Sequence, residues 1–160
     1  MKITDIKDVC SYYVFSVGNE LYGTEAQKVK EIKSGFLKSI YPPIDSISAL
    51  VKRIYSGAES LPILDLSALL ISQKSFNHPR TNTIIIIETG KERYNKKYGL
   101  LVDTCMDIIE IKRHDKLTTS LFGPYIKQYF ICEEFSEHKE VVKVLDTEAL
   151  WEKCCPPLEG

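Results

Sequence analysis

Hydrophobic residues in this chain are grouped in short runs, and polar or turn-forming residues separate the runs. Many runs are rich in aromatic and β-branched side chains, which are typical of β-strands. The pattern predicts about ten short strands and little helix. The clearest predicted strands cover residues 11–17, 20–22, 61–66, 83–88, 98–103, 106–111, 125–133 and 141–145.

The first two predicted strands form a hairpin. Gly18 and Asn19 join them, and both residue types accept the positive φ angles that a two-residue turn needs. Residues 83–88 (TIIIIE) differ, because their apolar run has no polar alternation. Such a run is typical of a strand that is buried on both faces. We therefore expect this strand in the centre of its sheet.

Helical and irregular segments are fewer. Residues 25–32 carry apolar side chains at every third position, which fits either one helical turn or an irregular extended segment. Asp146 or Thr147 is the predicted N-cap of the last helix. Residues 72–82 are polar and aperiodic, so we interpret them as a linker. Short helices are predicted over residues 44–51, 67–71 and 147–153.

Two stretches of the chain resemble each other across a separation of 81 residues. Residues 61–70 (LPILDLSALL) and 142–151 (VKVLDTEALW) each have an apolar run that ends in Leu-Asp and continues into Ala-Leu. Other pairs follow the same order at similar separations. They are Tyr22-Gly23 with Tyr98-Gly99, Glu31-Ile32 with Glu110-Ile111 and, more faintly, 51–54 with 126–129. This spacing favours one duplicated β unit over a solenoid, whose repeats are shorter and more numerous.

Two matching sets of strands favour a particular architecture. A chain of 160 residues is long enough for one domain or for two small, closely packed ones. Small barrels that are closed or nearly closed would remove the unpaired strand edges that promote aggregation. The sequence therefore predicts a mainly β protein made of two small barrels.

The charge pattern argues against nucleic acid as a partner. The 21 Lys and Arg residues nearly balance the 22 Asp and Glu residues, and the chain has no basic stripe. The N-terminal residues include Asp5 and no apolar segment follows, so we expect no secretory signal. The longest apolar run, residues 84–87, is too short to cross a bilayer. We expect a cytoplasmic protein.

The sequence offers no catalytic motif of the hydrolase, P-loop, zinc-protease or dinucleotide-binding type. The three histidines fall in predicted loops, where we expect surface side chains; they are His78, His114 and His138. Asp65, Asp103 and Asp146 each end an apolar strand. They could be catalytic carboxylates, but aspartates that accept backbone N–H bonds in turns explain all three. We predict that the protein is not an enzyme.

The cysteines do not indicate a metal or redox site. They form an odd set without a C-x-x-C pair or a histidine at ligand spacing. We expect reduced, mostly buried thiols and no metal or cofactor. The five are Cys10, Cys105, Cys132, Cys154 and Cys155.

Five segments resemble, in order, the motifs of the CheW-like domain family. Residues 15–23 (FSVGNELYG) and 29–32 (VKEI) are similar to the family opening, F-x-L-G-x-E-x-Y-G followed by V-x-E-I. Gly57 followed by residues 61–66 (LPILDL) is similar to R-G-x-x-x-P-V-x-D-L. Residues 98–103 (YGLLVD) and 108–111 (IIEI) are similar to G-L-x-V-D and a V-x-E-I-type stretch, and residues 142–146 (VKVLD) are similar to the closing v-x-L-L-D. The resemblance spans nearly the whole chain.

The resemblance implies two intertwined five-stranded SH3-like β-barrels with a few short helices. They would form a single CheW-like domain over residues 1–157. The two barrel subdomains would cover approximately 12–71 and 83–151, with strand or helix exchange between them. Residues 158–160 are interpreted as a tail outside the domain, consistent with a cloning remnant.

The resemblance also implies a non-catalytic adaptor. It would join the regulatory domain of a CheA-type histidine kinase to the cytoplasmic tip of methyl-accepting chemoreceptors, without inserting into the membrane. One barrel face would dock on the kinase, and a hydrophobic groove between the barrels would take the receptor's helical hairpin. Val29, Glu31 and Ile32 match the V-x-E-I segment beside that groove, and Val102 matches a strand that lines it. The alternative is that Val29, Ile32 and Val102 are core residues.

One departure from the family pattern concerns partner choice. Where the family commonly has an Asn-Leu-Arg-Gly turn, this chain has Tyr55, Ser56 and Gly57, so a serine stands at the arginine position. A short hydroxyl cannot make the bidentate ion pair of an arginine. We therefore include these three residues among the candidate partner-binding positions.

Two other functions stay open at this point. A divergent accessory CheW-like module would have a different partner. An OB-like double barrel would bind a small ligand or single-stranded nucleic acid through aromatic faces, although the balanced charge argues against the nucleic acid.

Overall fold

A computed structural model describes residues 8–34, 50–56, 59–70, 83–90 and 96–154. The described residues form ten strands, two short α-helices and two 3-10 turns. The strands build two five-stranded sheets. The chain is therefore mainly β, as the hydrophobic pattern predicts.

The two sheets have the following strands in spatial order. The first contains β8 (Thr104–Lys112), β1 (Val9–Val17), β2 (Glu20–Glu25), β10 (Glu140–Leu145) and β9 (Ile126–Cys132). The second contains β3 (Val29–Ser34), β6 (Thr83–Thr89), β7 (Lys96–Val102), β5 (Glu59–Asp65) and β4 (Leu50–Ser56). The helices are α1 (Leu66–Leu70) and α2 (Thr147–Cys154), and the 3-10 turns are Ala26–Lys28 and Arg113–Asp115.

The two sheets have the same strand order once the halves of the chain are interchanged. β1 and β2 take the places in the first sheet that β6 and β7 take in the second, and β8, β9 and β10 correspond to β3, β4 and β5. In each sheet one pair is parallel, β10 with β2 and β5 with β7. Each sheet thus takes strands from both halves, and the sequence repeat is also a structural repeat. The subdomain ranges 12–71 and 83–151 stay a prediction.

The repeated Tyr-Gly pair places a glycine where the parallel strands meet. Gly23 lies against β10, and Gly99 lies against β5. A Cβ atom on Gly99 would lie 2.9 Å from Cγ2 of Ile84, whereas one on Gly23 would lie 3.3 Å from Cγ1 of Val142. Gly23 therefore allows the close approach of β10, which comes from the other half of the chain, whereas Gly99 makes its tightest contact with β6 from its own half.

We expect the substitution Gly99→Ala to lower the free energy of unfolding by about 1–2 kcal/mol, because the new methyl group displaces the fully buried Ile84. Gly23→Ala is the matched control. Its contact is looser, and the lower entropy of an unfolded chain with alanine offsets the strain, so we expect a change within about 0.5 kcal/mol. Urea denaturation measures both values. Equal losses in the two variants would contradict the difference in packing.

One apolar core lies between the two sheets. Phe15 and Tyr22 belong to it from the first sheet, and Ile87 and Tyr98 belong to it from the second. Leu150 of α2 completes this cluster and is fully buried. Because both sheets and α2 share one core, neither sheet can lose its packing without affecting the other.

A second, smaller core lies on the other face of the first sheet. Successive side chains of a strand point to opposite faces. Accordingly, Tyr12 and Val14 of β1 enter this second core, while Phe15 and Val17 enter the core between the sheets. Phe130 of β9 packs with Tyr12, and their ring centroids are 5.5 Å apart. Both faces of β1 are therefore used for packing.

Most of the predicted elements are confirmed. Gly18 has a φ of 65° in the turn between β1 and β2, which pair as the predicted antiparallel hairpin. In residues 25–32 both alternatives occur in succession, first a 3-10 turn and then β3. β6 is buried along nearly its whole length, but it is the second strand of its sheet, and β7 is the middle strand.

Three predicted boundaries need correction or cannot be compared. The helix predicted over 44–51 is wrong at Leu50 and Val51, which begin β4; residues 44–49 lie outside the described residues. Pairing of β4 with β5 supplies tertiary contacts that outweigh a weak local helix signal. The strand predicted over 61–66 ends one residue earlier, because Leu66 begins α1. The predicted linker, 72–82, also lies outside the described residues.

Candidate functional site

Three of the predicted partner-binding residues lie together on β3. Val29, Glu31 and Ile32 belong to this strand, which stands at one edge of the second sheet. We call these three residues the β3 edge surface. Among the described strands, β3 pairs with β6 alone. An edge strand has a row of unpaired backbone groups, which favours contact with another chain.

A β-bulge sets the directions of the side chains on β3. Val29 lies opposite Ile87 and Ile32 lies opposite Ile85, because an extra residue is inserted between Val29 and Glu31. The bulge therefore places two apolar residues that are three positions apart on the same face. Val29 is half-buried against the core between the sheets, and Ile32 is 36% exposed. Val29 and Ile32 therefore form a small apolar patch at the surface, continuous with the core, which we call the apolar step.

Charged side chains lie on the opposite face of the strand from this apolar step, because Glu31 and Lys33 alternate with Ile32. Glu31 Oε1 lies 3.1 Å from Lys33 Nζ, and Lys30 Nζ lies 3.4 Å from Glu88 Oε1. The Glu31 side chain is 46% exposed. The Lys33 side chain is 18% exposed, so the pair is accessible to water on the Glu31 side, and ion pairs that water reaches contribute only about 0–1 kcal/mol to stability. A partner can therefore replace the Lys33 contact with its own cation at little cost to the fold.

The helix α2 supports the turn that precedes β3. Lys28 Nζ donates a hydrogen bond to Thr147 Oγ1 at 3.1 Å, and Tyr98 Oη donates to the carbonyl of Thr147 at 2.8 Å. Thr89 Oγ1 donates to Glu148 Oε1 at 2.7 Å, and this hydrogen bond lowers the pKa of Glu148. α2 thus joins β6 and β7 to the segment in front of the β3 edge surface.

The structure places the other predicted site residues apart from this surface. Val102 is fully buried in the core between the sheets, as the alternative interpretation of this residue as core expects, and its role in partner binding stays a prediction. Tyr55 and Ser56 end β4, at the opposite end of the strand order from β3. Their side chains and the whole of Gly57 lie outside the part of the chain that the structure describes.

Exposed apolar residues on the first sheet were missed in the sequence. Met106 and Ile108 of β8 are 42% and 45% exposed, and Ile131 of β9 is 45% exposed. Ile131 lies directly opposite Val141 of β10, which is 38% exposed. The sequence carried only a partial signal, because two adjacent apolar residues point to opposite faces of a strand, and both can still be buried, as Val14 and Phe15 are. The pairs are Ile108-Ile109, Phe130-Ile131 and Val141-Val142.

The strand-ending aspartates make the backbone hydrogen bonds that the sequence predicts. Asp65 Oδ1 accepts from the Ser67 amide at 3.1 Å, and Asp146 Oδ1 accepts from the Ala149 amide at 3.0 Å, which makes Asp146 the N-cap of α2. Asp103 is different, because its partner is far away in sequence. Asp103 Oδ2 accepts from the Gly18 amide at 2.8 Å. The three carboxylates therefore have structural roles.

The described residues contain no group of three or more His, Cys, Asp or Glu side chains that could hold a metal ion. His114 and His138 are exposed, as predicted, and His78 lies outside the described residues. In the same part of the chain, no helix is long and apolar enough to span a membrane.

The described cysteines are free thiols, and they are buried or half-buried. Burial raises the pKa of the thiols of Cys105, Cys132 and Cys154. A raised pKa keeps a thiol protonated and weakly nucleophilic at neutral pH. Cys155 lies outside the described residues.

Two sheets that exchange strands, an edge strand with one partner among the described strands, and exposed apolar side chains are features that suit the docking of another protein. The chain belongs to the CheW-like domain family, whose sequence pattern matches residues 11–154. This membership places it among the adaptor and scaffold modules of chemotaxis signal transduction. The resemblance found in the sequence motifs is confirmed.

The fold is also similar to a solved structure. The scaffolding protein TtCheW from Thermoanaerobacter tengcongensis superposes with a TM-score of 0.69 at 19% sequence identity, over 86% of this chain and 84% of that chain. At this low identity the similarity supports the fold alone. No curated protein sequence matches the chain.

Proposed function

We propose that the chain is a non-catalytic cytoplasmic adaptor that couples a CheA-type histidine kinase to chemoreceptors. The observation that carries the proposal is the β3 edge surface in a chain of the CheW-like family. This surface combines an apolar step with an exposed carboxylate on a strand whose outer edge has no partner among the described strands. Such a combination suits reversible docking of another protein.

The receptor's cytoplasmic tip is the proposed occupant of the β3 edge surface. The tip is expected to be a helical hairpin, and a helix docks through apolar residues on one face with polar residues beside them. Val29 and Ile32 supply the apolar contact on one face of the edge strand. Glu31 points to the other face and supplies a charge at the rim of the contact, which selects the orientation of the helix.

The kinase regulatory domain is the proposed occupant of a second surface. We call Ile131 and Val141 the β9–β10 apolar pair; both are exposed and lie opposite each other in the first sheet. The β3 edge surface belongs to the second sheet. Separate surfaces on separate sheets allow one adaptor to hold both partners at the same time.

The experiment is calorimetric titration of the chain with the isolated regulatory domain of the CheA-type kinase from the same genome. We expect saturable binding, with a dissociation constant no weaker than tens of micromolar, about 6–7 kcal/mol of binding free energy. The absence of saturable binding in this range would contradict the kinase assignment.

We expect Ile131→Asp to weaken this binding at least about tenfold, because it places a charge in a contact that excludes water. Leu121→Asp is the matched control. Leu121 is 89% exposed in a loop, so the same change there should leave the affinity within about twofold. If both variants bind as the unmodified chain does, the β9–β10 apolar pair is not the kinase surface.

A further inference from the structure

A cavity of about 640 Å³ lies at the end of the second core, and none of the residues of the two proposed docking surfaces lines it. The beginning of β1, the end of β2, the two 3-10 turns and β9 line it. Cys10 and Tyr12 on its wall lie on the face of β1 that enters the second core. The cavity therefore extends that core to the surface, and its volume is within the range of small-molecule sites.

Cations outnumber carboxylates in this cavity. Arg113, Lys116 and Lys127 line it together with one acidic residue, Glu25. Glu25 Oε1 already lies 2.6 Å from Lys127 Nζ and 3.3 Å from Lys28 Nζ. Burial acts to raise the pKa of Glu25, but the two lysines outweigh it and the pKa is lowered. Glu25 is therefore ionised and engaged, so it does not balance Lys116.

The Lys116 ammonium has neutral neighbours. Its Nζ atom donates to Tyr12 Oη at 3.1 Å and to Cys10 Sγ at 3.3 Å. Burial raises the pKa of Tyr12, so the phenol stays protonated at neutral pH. Burial acts to lower the pKa of Lys116, but these hydrogen bonds outweigh it and the pKa is raised. The ammonium is therefore charged, and one of its three N–H donors remains for a ligand.

We propose that this cavity binds a small organic anion through a phosphate or carboxylate group. Lys116 provides the charge at the inner end, and Arg113 provides a planar guanidinium that suits two oxygens of either group. Tyr12 and Cys10 hold this ammonium without a carboxylate, so an anion that accepts its remaining N–H would add a charge-assisted hydrogen bond. The chain has a net charge of −1, so this local positive surplus is not a consequence of a basic composition.

The test is an NMR titration of the ¹⁵N-labelled full chain at constant ionic strength. Inorganic phosphate and citrate are the two probes, and sodium chloride is the reference salt. We expect saturable shifts of the amides of Cys10, Ser11, Lys116 and Gln128 with at least one probe. The probe that saturates identifies the group. Absence of saturation with both, or the same shifts with sodium chloride, would overturn the proposal.

Lys116→Met removes the charge and keeps the length of the side chain, so we expect at least about tenfold weaker binding of the saturating probe. Lys139→Met is the matched control, because this lysine side chain is 76% exposed and does not line the cavity; its affinity should not change. If Lys116→Met does not fold, Arg113→Gln replaces it as the test, because Arg113 is exposed. This variant is also expected to bind the saturating probe more weakly. Unchanged affinity in the deciding variant would overturn the proposal. Neither result bears on kinase binding.

Discussion

Leu150→Ala is expected to lower the free energy of unfolding by about 3 kcal/mol. Leu150 is fully buried, and it brings α2 into the core that both sheets share. Removal of its branched end leaves a cavity that neither sheet can close without moving relative to the other. Urea denaturation, followed by tryptophan fluorescence and circular dichroism, measures the change. The two signals should report one transition, because one core connects the two sheets.

Leu121→Ala is the control for the same chemical change. Leu121 is 89% exposed, so its loss should alter the free energy of unfolding by less than about 0.5 kcal/mol. A small effect of Leu150→Ala, or two separate unfolding transitions in that variant, would contradict a core shared by the sheets.

Glu31→Lys is expected to weaken binding of a chemoreceptor cytoplasmic fragment about tenfold or more, while kinase-domain binding stays within about twofold. The change reverses an exposed charge on the β3 edge surface and removes its contact with Lys33. Glu31 is 46% exposed, and an ion pair that water reaches adds little to stability, so the fold should be preserved. Surface plasmon resonance with the immobilised receptor fragment measures the affinity.

The duplication supplies the control for this charge reversal. Glu110 on β8 is the repeat counterpart of Glu31 on β3, and it is also exposed on an edge strand. Glu110→Lys changes the net charge equally, so it should leave receptor binding nearly unaltered. Equal weakening by both variants would indicate a general electrostatic effect and would contradict a specific receptor contact at β3.

The sequence predicts strands and their duplication well, because both depend on local patterns. Alternation and β-branched runs define β1, β6 and β10 within one or two residues. The exchange of strands between the sheets is not visible in such patterns. It depends on pairings such as Val142 with Leu21, which join opposite ends of the chain. The resemblance to the family, rather than local physics, led to the expectation of exchange.

The candidate site is predicted in part. The V-x-E-I motif selects Val29, Glu31 and Ile32, which lie on β3, but only the register with β6 shows that a bulge puts Val29 and Ile32 on one face. Their role in partner binding stays a prediction. The local sequence around Val102 does not distinguish a buried strand residue from an exposed one. Its complete burial depends on the packing between the two sheets. The support from Thr147 to Lys28 joins residues 119 positions apart, so no local pattern contains it.

The adaptor hypothesis requires both partners to bind one copy of the chain at the same time. Sedimentation velocity of the chain mixed with the kinase regulatory domain and the receptor fragment tests this requirement directly. We predict one complex that contains all three proteins, and no association of the kinase domain with the receptor fragment when the chain is left out. If the two partners displace each other from the chain, or if no ternary complex forms at concentrations that saturate each pair, the chain does not bridge them.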